Sequence, residues 1–185
     1  MGSYDSYAKQ YNDMVNSGGP EGSYRYILQQ LHSLSDLADL KICDIGCGQG
    51  ELAYRLSLLG AKVTGVDLSD KLLEYARNRT NQVSWVHDDA MSLKIIDDEA
   101  FDYVVSSVML MDVPDHKRVY EAAYRILKPN GIMIWVIMHH RPLSQYLNDF
   151  LTSGFSLIRV DELERDDNSV DNLPLMFAVI GKKKH

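Results

Sequence analysis

The segment Leu40–Leu52, L-K-I-C-D-I-G-C-G-Q-G-E-L, restricts the fold of this chain more than any other. Its first half has the apolar pattern of a short buried strand, and apolar residues recur at helical spacing after it. A turn with three glycines separates the two, at Gly46, Gly48 and Gly50. This order of strand, glycine turn and helix is typical of a nucleotide site in an open α/β sheet, because the backbone must approach the ligand where a side chain would collide.

The spacing and the charge of this turn distinguish between two kinds of ligand. A dinucleotide fingerprint reads G-x-G-x-x-G and presents a helix N-terminus to an anionic pyrophosphate. Here the third glycine comes one residue earlier, Asp44 precedes the turn and Glu51 begins the helix. Two carboxylates would repel a pyrophosphate and attract a positively charged ligand. S-adenosylmethionine, a nucleoside with an ammonium and a sulfonium group, meets this requirement.

The motif D-I-G-C-G-Q-G at 44–50 resembles the first motif of class I S-adenosylmethionine-dependent methyltransferases, and L-K-P-N-G-I-M-I at 127–134 resembles the turn before their fifth strand. The resemblance covers most of the chain from about residue 40 onward. It implies an α/β fold, a three-layer α/β/α sandwich around a mostly parallel seven-stranded sheet. The implied strand order is 3-2-1-4-5-7-6, with the last strand antiparallel. The implied product is S-adenosylhomocysteine.

Apolar patterns along the chain are compatible with this fold. Strands are predicted at 42–45, 61–66, 83–86, 101–108, 132–138, 155–160 and 175–181. Helices are predicted at 4–15 and 23–34, after the glycine turn, from Asp70, from Pro114 and at 143–152. We expect residues 1–185 to form one domain, in which 36–185 bind the cofactor and 1–35 supply N-terminal helices. The aromatic stripe of these helices is typical of core packing or, alternatively, of a lid over the cofactor.

Acidic residues at strand ends are expected to hold the nucleoside. Asp67 ends the second strand, where a carboxylate can accept both hydroxyl protons of a ribose. By the resemblance, Asp89 and Ala90 lie beside the adenine ring; Asp88 remains an alternative to Asp89, and Leu68 packs on the ring. By the same resemblance, Tyr11 belongs to a segment that folds over the methionine end of the cofactor. The full predicted set is Tyr11, Asp44, Gly46, Cys47, Gly48, Gly50, Asp67, Leu68, Asp88, Asp89, Ala90 and Ser106.

Two histidines are the candidate catalytic residues. His139 and His140 follow the fifth strand, and ligands bind at the carboxyl ends of strands in open sheets. One of them is predicted to face the substrate as a general base, which a protonated acceptor requires; alternatively, they only orient the substrate or end the strand. Methyl transfer needs no metal and we predict none. Cys43 and Cys47 are expected to be reduced core residues.

Two observations restrict the chemical class of the methyl acceptor. The segment after the fourth strand, S-S-V-M-L-M-D, lacks the Asn/Asp-Pro-Pro-Tyr of enzymes that methylate base amines or a glutamine amide. A net charge of −7 argues against a nucleic-acid partner. We therefore predict a methyltransferase for an O, N or C nucleophile of a small metabolite. The alternatives are a methyltransferase acting on a protein side chain and a cofactor-binding module without catalysis.

The surroundings of the pocket and the location of the protein are further expectations. The pocket is completed by residues 1–35, by a second subunit in a homodimer, or stays open for a bulky acceptor. No apolar run reaches the roughly 18 residues of a membrane span, and the N-terminus lacks the apolar core of a signal peptide. We expect no membrane partner and a cytoplasmic location.

Overall fold

The structure is a computed structural model that describes residues 3–138, 142–163 and 176–184. The predicted catalytic residues His139 and His140 lie outside the described residues. None of the described helices combines the length and the apolar character that crossing a bilayer requires.

The strands of the described residues form a seven-stranded sheet. They are β1 (Lys41–Ile45), β2 (Lys62–Asp67), β3 (Ser84–His87), β4 (Phe101–Ser107), β5 (Leu127–Met138), β6 (Phe155–Leu163) and β7 (Met176–Lys183). Their order is β3-β2-β1-β4-β5-β7-β6. β1 through β5 pair in parallel, and β7 is antiparallel to both β5 and β6. The predicted topology is confirmed.

Helices cover both faces of this sheet. After a 3₁₀ helix at Ser3–Ser6 come α1 (Ala8–Asn16), α2 (Glu21–Leu34), α3 (Glu51–Leu58), α4 (Asp70–Arg79), α5 (His116–Ile126) and α6 (Leu143–Thr152). Successive residues of a strand point to opposite faces. On β4, Val104 packs in a core with residues of α5 and α6, and Val105 packs in a core with residues of α2 and α3. The strands are thus buried on both faces, which confirms the three-layer fold.

Polar side chains cap the N-termini of two helices, α4 and α5. The hydroxyl of Ser69 accepts a hydrogen bond of 3.2 Å from the amide of Leu72 at the start of α4. The carboxylate of Asp115 accepts one of 3.3 Å from the amide of Arg118 at the start of α5. Each side chain satisfies an amide that has no partner inside the helix. These caps fix the two helix starts at the carboxyl edge of the sheet.

Two predicted boundaries are wrong. The single helix expected at 4–15 is a 3₁₀ helix followed by α1. The fifth strand, predicted at 132–138, begins five residues earlier, directly after the end of α5 at Ile126. β5 begins at Leu127, which pairs with Phe101, and the next pair joins Ile132 to Tyr103 across a register shift. The residues between these pairs, predicted as a turn, form an irregular part of the strand.

Candidate active site

The glycine turn between β1 and α3 is tied to the end of β2. The amides of Gly46 and Cys47 both donate to the carbonyl of Val66, at 2.8 and 3.0 Å. Gly48 has a φ of +55°, and a Cβ there would lie 3.0 Å from Cε1 of Tyr11. The turn therefore leaves backbone, without side chains, facing the space in front of the sheet. This is the edge where ligands bind in open α/β sheets.

A cavity of about 260 Å³ lies in front of this turn. Its walls come from the carboxyl ends of β1, β2 and β4, from the loop after β3 and from the N-terminal segment. The residues that line it are Tyr4, Tyr11, Gly46, Gly48, Asp67, Leu68, Ser69, Leu72, Asp89, Ala90, Met91, Ser107, Val108, Met109, Asp112, Val113 and Pro114. The structure thus brings seven of the predicted binding residues to one cavity: Tyr11, Gly46, Gly48, Asp67, Leu68, Asp89 and Ala90.

Asp67 is held rigidly at the end of β2. Its Oδ2 accepts the amide of Gly48 at 2.8 Å, and its Oδ1 accepts the amide of Ser69 at 2.9 Å. Burial raises the pKa of the Asp67 carboxyl, and these amide hydrogen bonds oppose the rise. The carboxylate is therefore oriented by both neighbouring segments and lines the cavity.

Asp44 is the most deeply buried carboxyl beside the turn. The residue is 1% exposed, and its Oδ2 has no hydrogen-bond partner in the part of the chain that the structure describes. Burial and, to a smaller extent, the negative charge of Asp67 raise the pKa of Asp44 to about 7. Asp44 belongs to β1, two residues before the first glycine of the turn, and is not among the residues that line the cavity. A buried carboxyl oxygen without a partner favours a nearby positive group.

Glu51 does not add negative charge to the site as the sequence suggested. Its carboxylate pairs with Arg55 at 2.7 Å and with Arg79 at 2.5 Å. Arg79 also donates to the carbonyl of Gln49 at 3.3 Å and to the Gln49 side chain. Two guanidinium groups thus neutralise Glu51, and its role is to support the outer side of the turn. The acidic character of the cavity comes instead from other carboxylates, Asp67, Asp89 and Asp112.

The structure distinguishes between the two aspartates after β3. Asp88 stabilises its own loop: its Oδ1 accepts the amide of Asp89 at 2.8 Å, and its Oδ2 accepts the amide of Ile95 at 3.1 Å. Asp89 lines the cavity, and its Oδ1 accepts the amide of Met91 at 2.8 Å. Of the two alternatives, Asp89 has the position that a ligand can reach.

Three further predicted residues lie away from the cavity lining. Cys47 and Ser106 are buried, and Gly50 packs against Trp85. The neighbour of Ser106 along β4, Ser107, lines the cavity instead, because adjacent residues of a strand point to opposite faces. Since His139 and His140 lie outside the described residues, they stay predictions.

The loop between β4 and α5 and the side chain of Tyr4 were not among the predicted site residues. Five residues of that loop line the cavity: Val108, Met109, Asp112, Val113 and Pro114. The N-terminal segment crosses the cavity, since the Tyr4 hydroxyl donates to Asp112 at 2.6 Å and the Ser69 hydroxyl donates to Asp5 at 2.6 Å. The position of the loop could have predicted its role, because it follows a central strand at the carboxyl edge of the sheet, where ligands bind. No local pattern indicated the contacts of Tyr4.

Residues 43–135, just over half of the chain, match the family described as a methyltransferase domain. The chain belongs to this methyltransferase family. The resemblance to class I S-adenosylmethionine-dependent methyltransferases is thereby confirmed, and with it S-adenosylmethionine as the cofactor.

Two curated relatives of this methyltransferase domain have names that state an activity. The ubiquinone biosynthesis O-methyltransferase of Xanthomonas oryzae is 30% identical over 146 residues, which cover 75% of this chain and 61% of the relative. The demethylmenaquinone methyltransferase of Staphylococcus aureus is 37% identical over 137 residues, which cover 71% of this chain and 56% of the relative. The chain spans about three fifths of the length of these relatives.

Solved methyltransferase structures share the fold. An S-adenosylmethionine dependent methyltransferase from Mesorhizobium loti superposes with a TM-score of 0.77 at 22% identity, over 89% of this chain and 100% of that one. A TehB-like SAM-dependent methyltransferase from Corynebacterium glutamicum gives a TM-score of 0.75 at 24% identity, over 97% of both chains. At 22% and 24% sequence identity, these superpositions show that the fold is shared.

Proposed function

We propose that the chain transfers the methyl group of S-adenosylmethionine to an oxygen, nitrogen or carbon nucleophile of a small molecule. The proposal is carried by two carboxyls beside the glycine turn. Among the residues that the structure describes, Oδ2 of Asp44 has no hydrogen-bond partner, and Oδ2 of Asp67 accepts the amide of Gly48. Two carboxyls in this arrangement favour a cationic nucleoside and disfavour a diphosphate, because like charges repel in a partly desolvated site.

The residues present fit this cofactor. Asp67 would hold the ribose, because the hydrogen bonds that it accepts in the structure come from two or three backbone amides and a carboxylate can accept about four hydrogen bonds. Asp89, with Ala90 and Leu68, would hold the adenine. Asp44 would stabilise the positive charge of the methionine end across the glycine turn.

When bound, S-adenosylmethionine supplies a methyl group that its sulfonium activates for displacement. The chain then has to align the acceptor with the methyl carbon, exclude water and accept a proton if the acceptor carries one. Alignment of two reactants can account for several kcal/mol of the lowered barrier. The apolar side chains of Met91, Met109, Val113 and Pro114, which line the cavity, are suited to exclude water and to pack on an acceptor.

The substrate class is part of the proposal. The names of both curated relatives described above refer to quinones. We infer a small apolar acceptor for this chain as well, because apolar residues dominate the cavity wall on the side of the β4–α5 loop. The absence of a nucleic-acid partner, a homodimer and a cytoplasmic location remain predictions.

We further propose that, within residues 1–35, the 3₁₀ helix and α1 act as the lid over the cavity. Tyr4 and Tyr11 line the cavity, and Asp5 is joined to Ser69 at the start of α4. The second helix, α2, is anchored to the core by Ile27 and Leu31, and its Glu21 accepts two hydrogen bonds of 2.8 Å from Arg55. The 3₁₀ helix and α1 would therefore open while α2 stays in place.

Calorimetry and a transfer assay together test the proposed function. We expect S-adenosylmethionine and S-adenosylhomocysteine to bind, and NAD to bind at least about a hundredfold more weakly. Methyl-labelled cofactor should label a compound in a panel of phenols, quinols, amines and carboxylic acids. Binding of the cofactor without transfer to any compound would instead favour a cofactor-binding module, and tight binding of NAD would contradict the assignment of the turn.

A further inference from the structure

Two polar side chains of the cavity lining are hydrogen-bonded to each other at an exposed position, and the proposed cofactor contacts use neither of them. The hydroxyl of Tyr4 donates a hydrogen bond of 2.6 Å to Oδ2 of Asp112. Tyr4 belongs to the 3₁₀ helix at the start of the described chain, and Asp112 to the loop between β4 and α5. Both residues line the cavity. A phenol is therefore bound by a carboxylate within the candidate active site.

The surroundings of this phenol suit an aromatic ring. The rings of Tyr4 and Tyr11 meet edge to face at a centroid distance of 6.0 Å and an interplanar angle of 85°, a favoured aromatic geometry. Apolar side chains of the β4–α5 loop, Met109 and Val113 among them, line the same cavity. Burial and the hydrogen bond to Asp112 raise the pKa of the Tyr4 hydroxyl, so that it keeps its proton and remains a donor.

The attachment of Tyr4 is local and reversible. The residue is 36% exposed, and its own segment is a 3₁₀ helix of four residues. Such short 3₁₀ segments contribute little stability by themselves. A competing ring can therefore displace Tyr4 without disturbing the sheet or the glycine turn.

We propose that Asp112 binds the hydroxyl of a phenolic acceptor and that Tyr4 occupies the position of this acceptor. The inference rests on the proposed function and names the substrate class of the same site. The phenol of a substrate would find there the same partners that the Tyr4 side chain has: a carboxylate for its hydroxyl, an aromatic ring and apolar walls. The N-terminal segment then competes with the acceptor and moves when the acceptor enters.

Asp112 is then the catalytic residue that receives the proton. The phenol oxygen forms a new bond to the methyl carbon while the bond from that carbon to sulfur breaks. The electron pair of the broken bond stays on sulfur, which becomes an uncharged thioether. As the new C–O bond forms, the O–H bond weakens and its proton passes to Asp112, so that the products are an aryl methyl ether, S-adenosylhomocysteine and a protonated carboxyl.

Binding of catechol, with its dimethyl ether veratrole as a matched ligand without a donor, tests the inference. Both are titrated by calorimetry into the protein saturated with S-adenosylhomocysteine. We expect catechol to bind more tightly than veratrole. The Asp112→Asn variant should bind catechol about tenfold more weakly, and Tyr4→Phe about tenfold more tightly, because a hydrogen bond to a charged group is lost in one case and a competitor in the other.

Matched controls separate these effects from general damage. Tyr7→Phe changes an exposed tyrosine of the same segment, and Asp97→Asn removes a charge from an exposed loop residue. Both should bind catechol as the unchanged protein does. The affinity for S-adenosylhomocysteine should stay within about twofold in all four variants, which also shows that the variants fold. Veratrole affinity should stay within about twofold in Asp112→Asn and in the two controls, and should rise with that of catechol in Tyr4→Phe, because the same competitor is lost.

Equal binding of catechol and veratrole, or unchanged catechol affinity in Asp112→Asn, would overturn the inference while leaving the proposed function intact. Failure of the protein to bind S-adenosylhomocysteine would instead contradict the proposed function. In a transfer assay, Asp112→Asn should lower the rate of catechol methylation at least about tenfold without weakening the binding of the cofactor.

Discussion

The backbone amide of Gly48 donates a hydrogen bond of 2.8 Å to Oδ2 of Asp67, nineteen residues further along the chain. The other carboxyl oxygen of Asp67 accepts the amide of Ser69. One carboxylate thus joins the glycine turn, the end of β2 and the start of α4. Because both oxygens are fixed by backbone, the proposed ribose contact is formed in advance and little ordering is required on binding.

Asp67→Asn should weaken the binding of S-adenosylmethionine by about 1–3 kcal/mol. The amide side chain keeps the shape of the carboxylate, but its NH₂ group can no longer accept a hydrogen bond from a backbone amide or from a ribose hydroxyl. Calorimetry measures the change. Glu74→Gln, at an exposed residue of α4, is the matched loss of one charge and should have no effect. Unchanged affinity in Asp67→Asn would exclude this residue from the cofactor site.

The affinity for S-adenosylmethionine should depend on pH through Asp44. Burial raises the pKa of Asp44 to about 7, so that below this pH the carboxyl of the ligand-free protein is protonated. A positive ligand favours the ionised form and must release the proton on binding. Affinity should therefore fall by up to about tenfold for each pH unit below 7. Titrations in buffers with different ionisation enthalpies measure the released proton.

The Asp44→Asn variant provides the control and a second test. Its affinity should lack this dependence on pH. In the unchanged protein the folded state binds a proton that the unfolded state releases, so the free energy of unfolding should fall as the pH rises from about 4 to about 7. Urea unfolding at several pH values should show this fall in the unchanged protein and a smaller fall in Asp44→Asn. The same slope in both proteins would contradict the role of Asp44.

Arg79→Gln should loosen the outer side of the glycine turn. Arg79 joins α4 to Gln49 of the turn and to Glu51 of α3, and Gln49 is 1% exposed. Loss of the guanidinium leaves a buried polar side chain without its donor, which costs about 1–3 kcal/mol of folding free energy. Urea unfolding measures this loss, and hydrogen exchange of the turn amides should become faster.

The exposed Arg77 of the same helix is the matched control for Arg79. Arg77→Gln should change neither the free energy of unfolding nor the exchange of the turn amides. If Arg79→Gln behaved like Arg77→Gln, the ion pairs around the turn would have no measurable effect, as is common for exposed pairs.

Gly50→Ala should destabilise the protein by about 2 kcal/mol or more. Gly50 has a φ of +82°, which costs other residues about 1–2 kcal/mol, and a Cβ there would collide with Trp85 and lie 3.0 Å from Cβ of Ala76. Gly18→Ala separates the two causes, because Gly18 has a φ of +101° but no atom within 4 Å of the added Cβ. Urea unfolding should show the larger loss for Gly50. Equal losses would mean that the contact of the added Cβ with Trp85 does not contribute to the destabilisation.

The sheet could be predicted from the sequence because its signals are local. The apolar run of β4 and the start of α4 at Asp70 each depend on a few adjacent residues, and both are where the sequence places them. The glycine turn is equally local, since its backbone geometry requires glycine at particular positions. The strand order was not local: it was predicted from the family resemblance that the glycine turn supports.

The parts of the site that could not be predicted depend on distant contacts. Tyr4 and Asp112 are 108 residues apart, and nothing near either residue indicates the other. The choice between Asp88 and Asp89 depends on which carboxylate the loop amides use. The charge of Glu51 is cancelled by Arg79, from a helix that the sequence does not place beside the turn.

The position of β7 has a consequence for how the protein is made. It follows β6 in the chain but lies between β5 and β6, with antiparallel pairing on both sides. During synthesis β6 emerges first and has no strand to pair with, while β5 exposes one edge of unpaired amides and carbonyls. The two strands that follow β5 can join the sheet only after β7 has left the ribosome. Until then the edge of β5 stays unpaired and open to pairing with other strands.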